Sequence, residues 1–412
     1  MTGLFTSQLV RMTGSQIAGM FAGLVTGFAT WLLAAHRFPP SEVGIASRLV
    51  TAGTLASGLV AAGAGQYLLA VLPHLSVNPL RIVVRWTTIA TVGTAVIAGA
   101  GSFLVVQGSL FPGSLLLMVV AVSVSVTTLQ DAVYIARGRA ADVAAKAIAI
   151  GLAKVAALAA IAPMIIGAGL ASYAGLVLLL AVPQLCVAVL WLCIRLRAAL
   201  SERGRVLEVP RRSGTLISMG YAYALAAIAI NWGWPAVLTS TLSADRAALF
   251  YIAWTVTSLV GAASIALANS IVGSGISRSG ANMRSVIALH GLMEAGFAAA
   301  ILSVAPFILT LFGGYYVHAD SFIPPLLVGQ SFSGVTAVLI AFMRTGTGSR
   351  QALPAIAIWA ACGFGIPAIF VGGAGERFLY VYPVTTAVGM VVAFGLLLVA
   401  HQPISQQRNP DD

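Results

Sequence analysis

The few charged residues of this chain are almost all confined to short gaps between long apolar stretches, and this placement constrains the fold more than any other feature. Asp, Glu, Lys and Arg make up 8% of the 412 residues, and the arginines favour every second gap. Five charges break the rule and lie inside apolar stretches: Arg48, Asp131, Lys146, Lys154 and Glu294. The rule gives a topology, and the exceptions give candidate functional residues.

Hydrophobic residues make up 59% of the chain, with a mean hydropathy of +0.98. A soluble domain is about 45–50% apolar and about 25% charged. The expected class is therefore an all-α, polytopic membrane protein. Runs such as 115–122 and 174–192 do not alternate polar with apolar residues, which excludes the roughly ten-residue strands of a membrane barrel. The net charge of +11 is spread over many gaps and does not point to nucleic acid. It reads as the positive-inside pattern, with attraction to anionic headgroups. Cys186, Cys193 and Cys362 all fall in apolar stretches and suggest packing rather than a disulfide framework.

Twelve spans can be read, six near 14–35, 43–72, 82–106, 114–135, 144–166 and 170–194, and six near 215–238, 247–273, 285–312, 322–342, 352–371 and 378–400. Each is close to the roughly 20 residues that cross about 30 Å of hydrocarbon. With the N-terminus inside, one face receives Arg11, Arg81, Arg85, Arg137, Arg139, the arginines of 195–212, Arg278, Arg284, Arg344, Arg350 and Arg408. The other face receives Arg37, Arg246 and Arg377. That asymmetry predicts both termini in the cytoplasm. Gly19, Gly23 and Gly27 share one face of the first span and suit close helix packing.

The two halves resemble each other. Laying Phe38 on Leu242 matches the turn before the second span with the turn before the eighth, and Thr51 with Thr255. The predicted organisation is an N-terminal lobe over 1–194, a basic cytoplasmic linker over 195–213 and a C-terminal lobe over 214–412. Six spans in each half make the repeats parallel, and transporters built this way bind substrate in a central cavity between the lobes.

A charge at membrane depth costs roughly 2.5–3.5 kcal/mol on insertion scales, so each of the five exceptions needs a reason. Asp131 and Lys146 flank the hairpin between the fourth and fifth spans, both roughly 10 Å inside the cytoplasmic end. A salt bridge is the simplest reading, and a snorkelling Lys146 is the other. Lys154 lies two turns higher, near mid-membrane, and is read as a cation facing a cavity. Arg48 lies near the outer end of the second span and either faces the cavity or snorkels outward. Its planar fork suits phosphate. Glu294 lies near mid-membrane in the ninth span. A protonatable carboxyl there suits ion coupling, as does Asp131; pairing with a cation or a protonated, structural role are the other readings. Asn231, in Asn231-Trp232-Gly233-Trp234-Pro235, marks a break in the seventh span that can line a cavity or anchor at the interface. The substrate-binding candidates are thus Arg48, Lys154, Lys146 and Asn231, and the coupling candidates Glu294 and Asp131.

Neither lysine follows a glycine, so there is no Walker A motif. No metal-ligand spacing and no Gly-x-Ser-x-Gly elbow occurs, and no cofactor is implied. The outer loops are short, which argues against a membrane enzyme.

Twelve spans as six plus six, a Pro-rich turn followed by Glu42-Val43-Gly44, and Gly63-x-Gly65 followed by Leu72-Pro73 together resemble the polysaccharide flippase branch of the multidrug/oligosaccharidyl-lipid/polysaccharide exporter superfamily. The resemblance covers almost the whole chain. It implies movement of an undecaprenyl-pyrophosphate-linked oligosaccharide to the outer leaflet of a bacterial inner membrane, beside glycosyltransferases and a polysaccharide polymerase. Cation-coupled multidrug exporters of the superfamily carry acids in the first or seventh span, and this chain has none there. Peptidoglycan-precursor flippases carry arginines in the first span and two further spans. A drug exporter, or a non-transporting scaffold for glycosyltransferases, are the alternatives.

Overall fold

The computed structural model describes residues 22–72, 79–105, 110–137, 139–167, 172–196, 213–274, 283–345, 349–369 and 375–400. Among these the regular structure is entirely helical. The basic linker falls almost wholly outside the described residues.

Among the described residues twelve long helices follow in order, with a 3-10 helix, Gly314–Phe322, between the ninth and tenth. The first half comprises α1 (22–37), α2 (Pro40–Val71), α3 (Pro79–Val105), α4 (Leu110–Ala136), α5 (Ala140–Gly167) and α6 (Tyr173–Trp191). The second half comprises α7, in three continuous pieces from Ser213 to Thr241, then α8 (Ala244–Ser274), α9 (Met283–Leu311), α10 (Ile323–Thr345), α11, in three pieces from Ser349 to Ile369, and α12 (Gly375–Ala400). Eleven helices are long and apolar enough to cross a membrane, and the described part of α1 is too short to be counted with them. We call the end carrying the α1–α2 and α7–α8 turns the upper end, and the opposite end the lower.

The helices start where local chemistry allows. Pro40 stands in the first turn of α2, where its missing N–H costs nothing, and Glu42 lies in that turn. The two bundles are then assembled through α2 and α8, helices of 32 and 31 residues that begin after the matched turns. At the upper end α2 meets α8 so closely that a methyl group on Gly44 would overlap the carbonyl oxygen of Ala244. Thr26 of α1 is seated in the same way on Gly151 of α5, and Gly23 faces Ala147 of α5. Gly27 faces open space, and Gly19 lies outside the described residues.

The packing is asymmetric from end to end. A single apolar core runs through both halves at the upper end, joining Trp31, Phe38, Leu49 and Leu117 to Trp234, Phe250, Phe312 and Tyr382. Trp31 packs edge-on against Tyr251, and Phe28 against Phe312, across the two halves. At the lower end two cores are found among the described residues. One, around Leu68, Val83 and Leu129, belongs to the first half. The other, around Tyr223, Ile271, Phe342 and Trp359, belongs to the second. Burial of apolar surface therefore ties the lobes together at the upper end, whereas each lower core lies within one lobe.

Candidate functional site

The upper seam is closed by polar groups of α2. Two charged residues six positions apart on this helix complete the ends of two other helices. The Glu42 carboxylate accepts from the backbone N–H of Tyr173, the first residue of α6, whose cap residue Ser172 makes no side-chain cap bond. Arg48 donates from Nη2 to the carbonyl oxygen of Leu242, at the C-terminal end of α7 in the other half. Both signs match the helix dipole, with an anion at an N-terminus and a cation at a C-terminus. Nearby, Thr51 and Thr239 place their hydroxyls 3.5 Å apart across the same seam. Arg48 is thus bonded to the other half through Nη2 while remaining part-exposed. Its partner is a backbone carbonyl of the repeat-related lobe, at the C-terminal end of α7.

At the lower end of the same seam, Tyr221 of α7 donates to the carbonyl of Leu59 at 3.2 Å. Gly220 gives room to Gln66 of α2 and Arg344 of α10, whose side chains would stand 2.6 and 3.4 Å from a β-carbon placed there. The Arg344 guanidinium also stacks over the ring of Tyr223, 4.7 Å from its centroid.

A polar chain crosses the first lobe through α4, α5 and α6. Lys146 and Asp131 form the expected ion pair, at 2.7 Å, with Lys146 almost fully buried. The Lys146 ammonium also donates to the Thr127 carbonyl at 2.7 Å and faces the Gln130 side-chain oxygen at 3.4 Å. Gln130 in turn donates to the carbonyl of Ala188 at 2.8 Å. Lys154 donates to Gln184 at 2.6 Å, and Gln184 donates to the Thr127 hydroxyl at 3.3 Å. Lys154 therefore joins the same chain as Lys146 but with a neutral partner, inside the lobe.

The second lobe holds a separate polar region. Asn231 sits in the π-helical turn Ala229–Gly233, and its amide donates to the Ala227 carbonyl at 2.7 Å. The sequence predicts a break here; the helix instead widens by one residue and continues, since Trp234 and Pro235 restart it without loss of direction. A facing π turn, Ala361–Gly365 of α11, accepts from the Trp234 indole at 2.6 Å through Gly363. Asn231, Gly261, Gln330, Ser333 and Trp359 line a recess with room for about one water. Within it Gln330 donates to Thr257 at 3.2 Å and Trp359 to Ser333 at 3.0 Å.

Glu294 lies behind this recess, 3% exposed, between α9, α8 and α10. Its carboxylate accepts from the Ser264 hydroxyl, and His290 stands 3.6 Å away, one turn earlier. Gly334 separates Glu294 from the recess, and a β-carbon there would collide with Ser264 and come within 3.2 Å of the Glu294 oxygen. The candidate residues thus fall in three places: Asp131, Lys146 and Lys154 inside the first lobe, Asn231 and Glu294 inside the second, and Arg48 at the seam. Gln184, Gln130 and Arg344 are absent from the sequence-derived set. Glutamines inside apolar runs are the signal for the first two. Arg344 counts as a loop residue by charge pattern and is placed at the seam by the last turn of α10.

Solved structures of similar fold are multidrug and related transporters. An outward-facing multidrug resistance MATE family transporter of the MOP superfamily superposes with a TM-score of 0.59 at 14% identity over 95% of both chains. The MATE multidrug transporter DinF-BH in complex with rhodamine 6G gives 0.59 at 12% identity, again over 95% of both. A MOP superfamily transporter from Pyrococcus furiosus Vc1, described as having a binding pocket of reverse polarity, gives 0.59 at 11% over 95% of both. No protein-family model and no curated protein matches the chain. The chain has the twelve-helix, two-lobe MATE fold.

Proposed function

We propose that this protein is an alternating-access exporter embedded in a bacterial inner membrane, with lobes 1–194 and 214–412 joined by the cytoplasmic linker 195–213. The lower end is cytoplasmic in this reading, since it carries most of the arginines. The observation that carries the proposal is one shared core above and two separate cores below. Two bodies hinged this way open to the cytoplasm while sealed outside, and repacking of the upper core opens the other side.

The substrate we infer is an amphiphile with an anionic head, the lipid-pyrophosphate-linked oligosaccharide implied by the sequence resemblance. Support comes from charge: α1 and α7 carry no carboxylate, while Arg48 and Arg344 stand at the two ends of the lobe seam. A site built for cationic drugs would be expected to present acids there. A second reading, multidrug export, is favoured by solved structures of this fold whose described activity is multidrug transport, one of them holding rhodamine 6G.

Purified protein in liposomes separates the two. Flipping of a prenyl-diphosphate-linked sugar without movement of rhodamine 6G is the expected result. Rhodamine 6G transport alone would replace the first reading with the second, and movement of neither would count against export.

A further inference from the structure

Arg48 is the one deep charge bonded across the two lobes among the described residues, and its partner is weak for an arginine. A guanidinium has five N–H donors in a planar fork that fits a carboxylate or phosphate in two bonds. Here a backbone carbonyl, Leu242, accepts from Nη2, and Nε is buried with no partner. The contrast with Glu42 is informative. Glu42 ties the same end of α2 to α6 within its own lobe, so that tie survives when the lobes part. The Arg48 tie crosses the seam together with Thr51–Thr239 and the Gly44–Ala244 approach, so it must break. Once broken, the guanidinium stays at the upper rim of α2, at membrane depth, with its donors unmet. Leaving such a group unpaired is costly, and an anion is its natural replacement.

We propose that Arg48 is a two-position residue: it locks the upper end by capping α7, and after opening it becomes the upper-mouth recognition group for a phosphate-bearing amphiphile. An anion arriving at the seam competes with the Leu242 carbonyl, so binding and unlocking are one event. Leaving is possible because re-closure returns the carbonyl to the guanidinium and displaces the anion. This rests on the alternating-access reading, and it specifies the chemistry that the upper end recognises.

The test uses the full chain in nanodiscs with spin labels at His36 and Asp320, exposed positions at the upper end of opposite lobes. Distances are read by pulsed electron resonance, with farnesyl diphosphate as the anionic probe and farnesol as its uncharged control. The unmodified chain should show mostly the short distance, and farnesyl diphosphate should lengthen it while farnesol does not. Arg48→Gln should shift the closed-to-open ratio toward open by about tenfold, from the usual worth of a cation at a helix C-terminus, and should no longer respond to farnesyl diphosphate. Gly44→Ala opens the same seam by steric overlap while keeping Arg48. It should be open and should bind farnesyl diphosphate more tightly than the unmodified chain, which guards against a poorly folded Arg48→Gln protein. An unchanged short distance in Arg48→Gln overturns the lock. Binding of farnesyl diphosphate by Arg48→Gln as tight as that by Gly44→Ala overturns the recognition role. One fixed distance in every variant and condition would instead defeat the alternating-access reading itself.

Discussion

The ammonium of Lys154 donates to the side-chain oxygen of Gln184 at 2.6 Å, whereas Lys146, two turns below it on α5, closes on the Asp131 carboxylate at 2.7 Å. Two lysines of one helix are thus treated differently. One has its charge matched. The other, among the described residues, makes no ion pair and is held by a neutral amide that is itself tied to Thr127.

The matched pair is structural. Removing Asp131 leaves a nearly fully buried ammonium without its counter-charge. Asp131 keeps about a third of its side chain exposed, which discounts the loss. Asp131→Asn should lower stability by about 3 kcal/mol, the lower end of the range for a broken buried pair. Asp131→Asn combined with Lys146→Met should recover most of that loss. Thermal unfolding in detergent reads both, and an additive double variant would refute the pairing.

Lys154 should matter more for transport than for folding. Lys154→Met removes a hydrogen bond to a neutral group, worth about 1–3 kcal/mol, and takes the unmatched charge from the first lobe. The protein should remain folded and lose most of its transport, while Lys154→Arg should retain part of it. Full activity of Lys154→Met in liposomes would remove this residue from the candidate site.

Glu294 is predicted to serve coupling rather than substrate binding, because its polar contacts, Ser264, Ser331 and His290, are all within the second lobe. Glu294→Gln keeps an acceptor for Ser264 and so should fold normally. Transport by it should proceed at the same rate with and without an imposed proton or sodium gradient, whereas the unmodified chain should be accelerated by one of the two. A gradient response equal to that of the unmodified chain would assign Glu294 to packing.

The close approach at Gly334 has its own consequence. Gly334→Ala puts a methyl group into Ser264 and toward Glu294. Overpacking of this kind costs about 1–3 kcal/mol. The melting temperature should fall and the gradient response should weaken in the same variant, whereas Gly395→Ala, on α12 with open space around it, should change neither.

The spans are legible in the sequence because hydrophobicity and gap charges act over twenty residues at a time. The Asp131–Lys146 pair is legible because a hairpin fixes depth. The position of Asn231 is legible as an irregularity, but Pro and Gly cannot distinguish a break from a π turn, since both release a backbone carbonyl. Arg48 is recognisable as a deep charge, yet its partner is a backbone atom 194 positions away, and carbonyls carry no sequence signature. Gln184 leaves little trace because a single amide in an apolar run changes hydropathy little, although it decides where Lys154 points.

Transport in this account requires the upper seam to open. Cysteines at Thr51 and Thr239, whose hydroxyls lie 3.5 Å apart across that seam, test it directly in a chain with Cys186, Cys193 and Cys362 replaced by alanine. Oxidation should cross-link the lobes and stop movement of the prenyl-diphosphate-linked sugar, and reductant should restore it. Undiminished transport by the fully cross-linked protein would contradict the account.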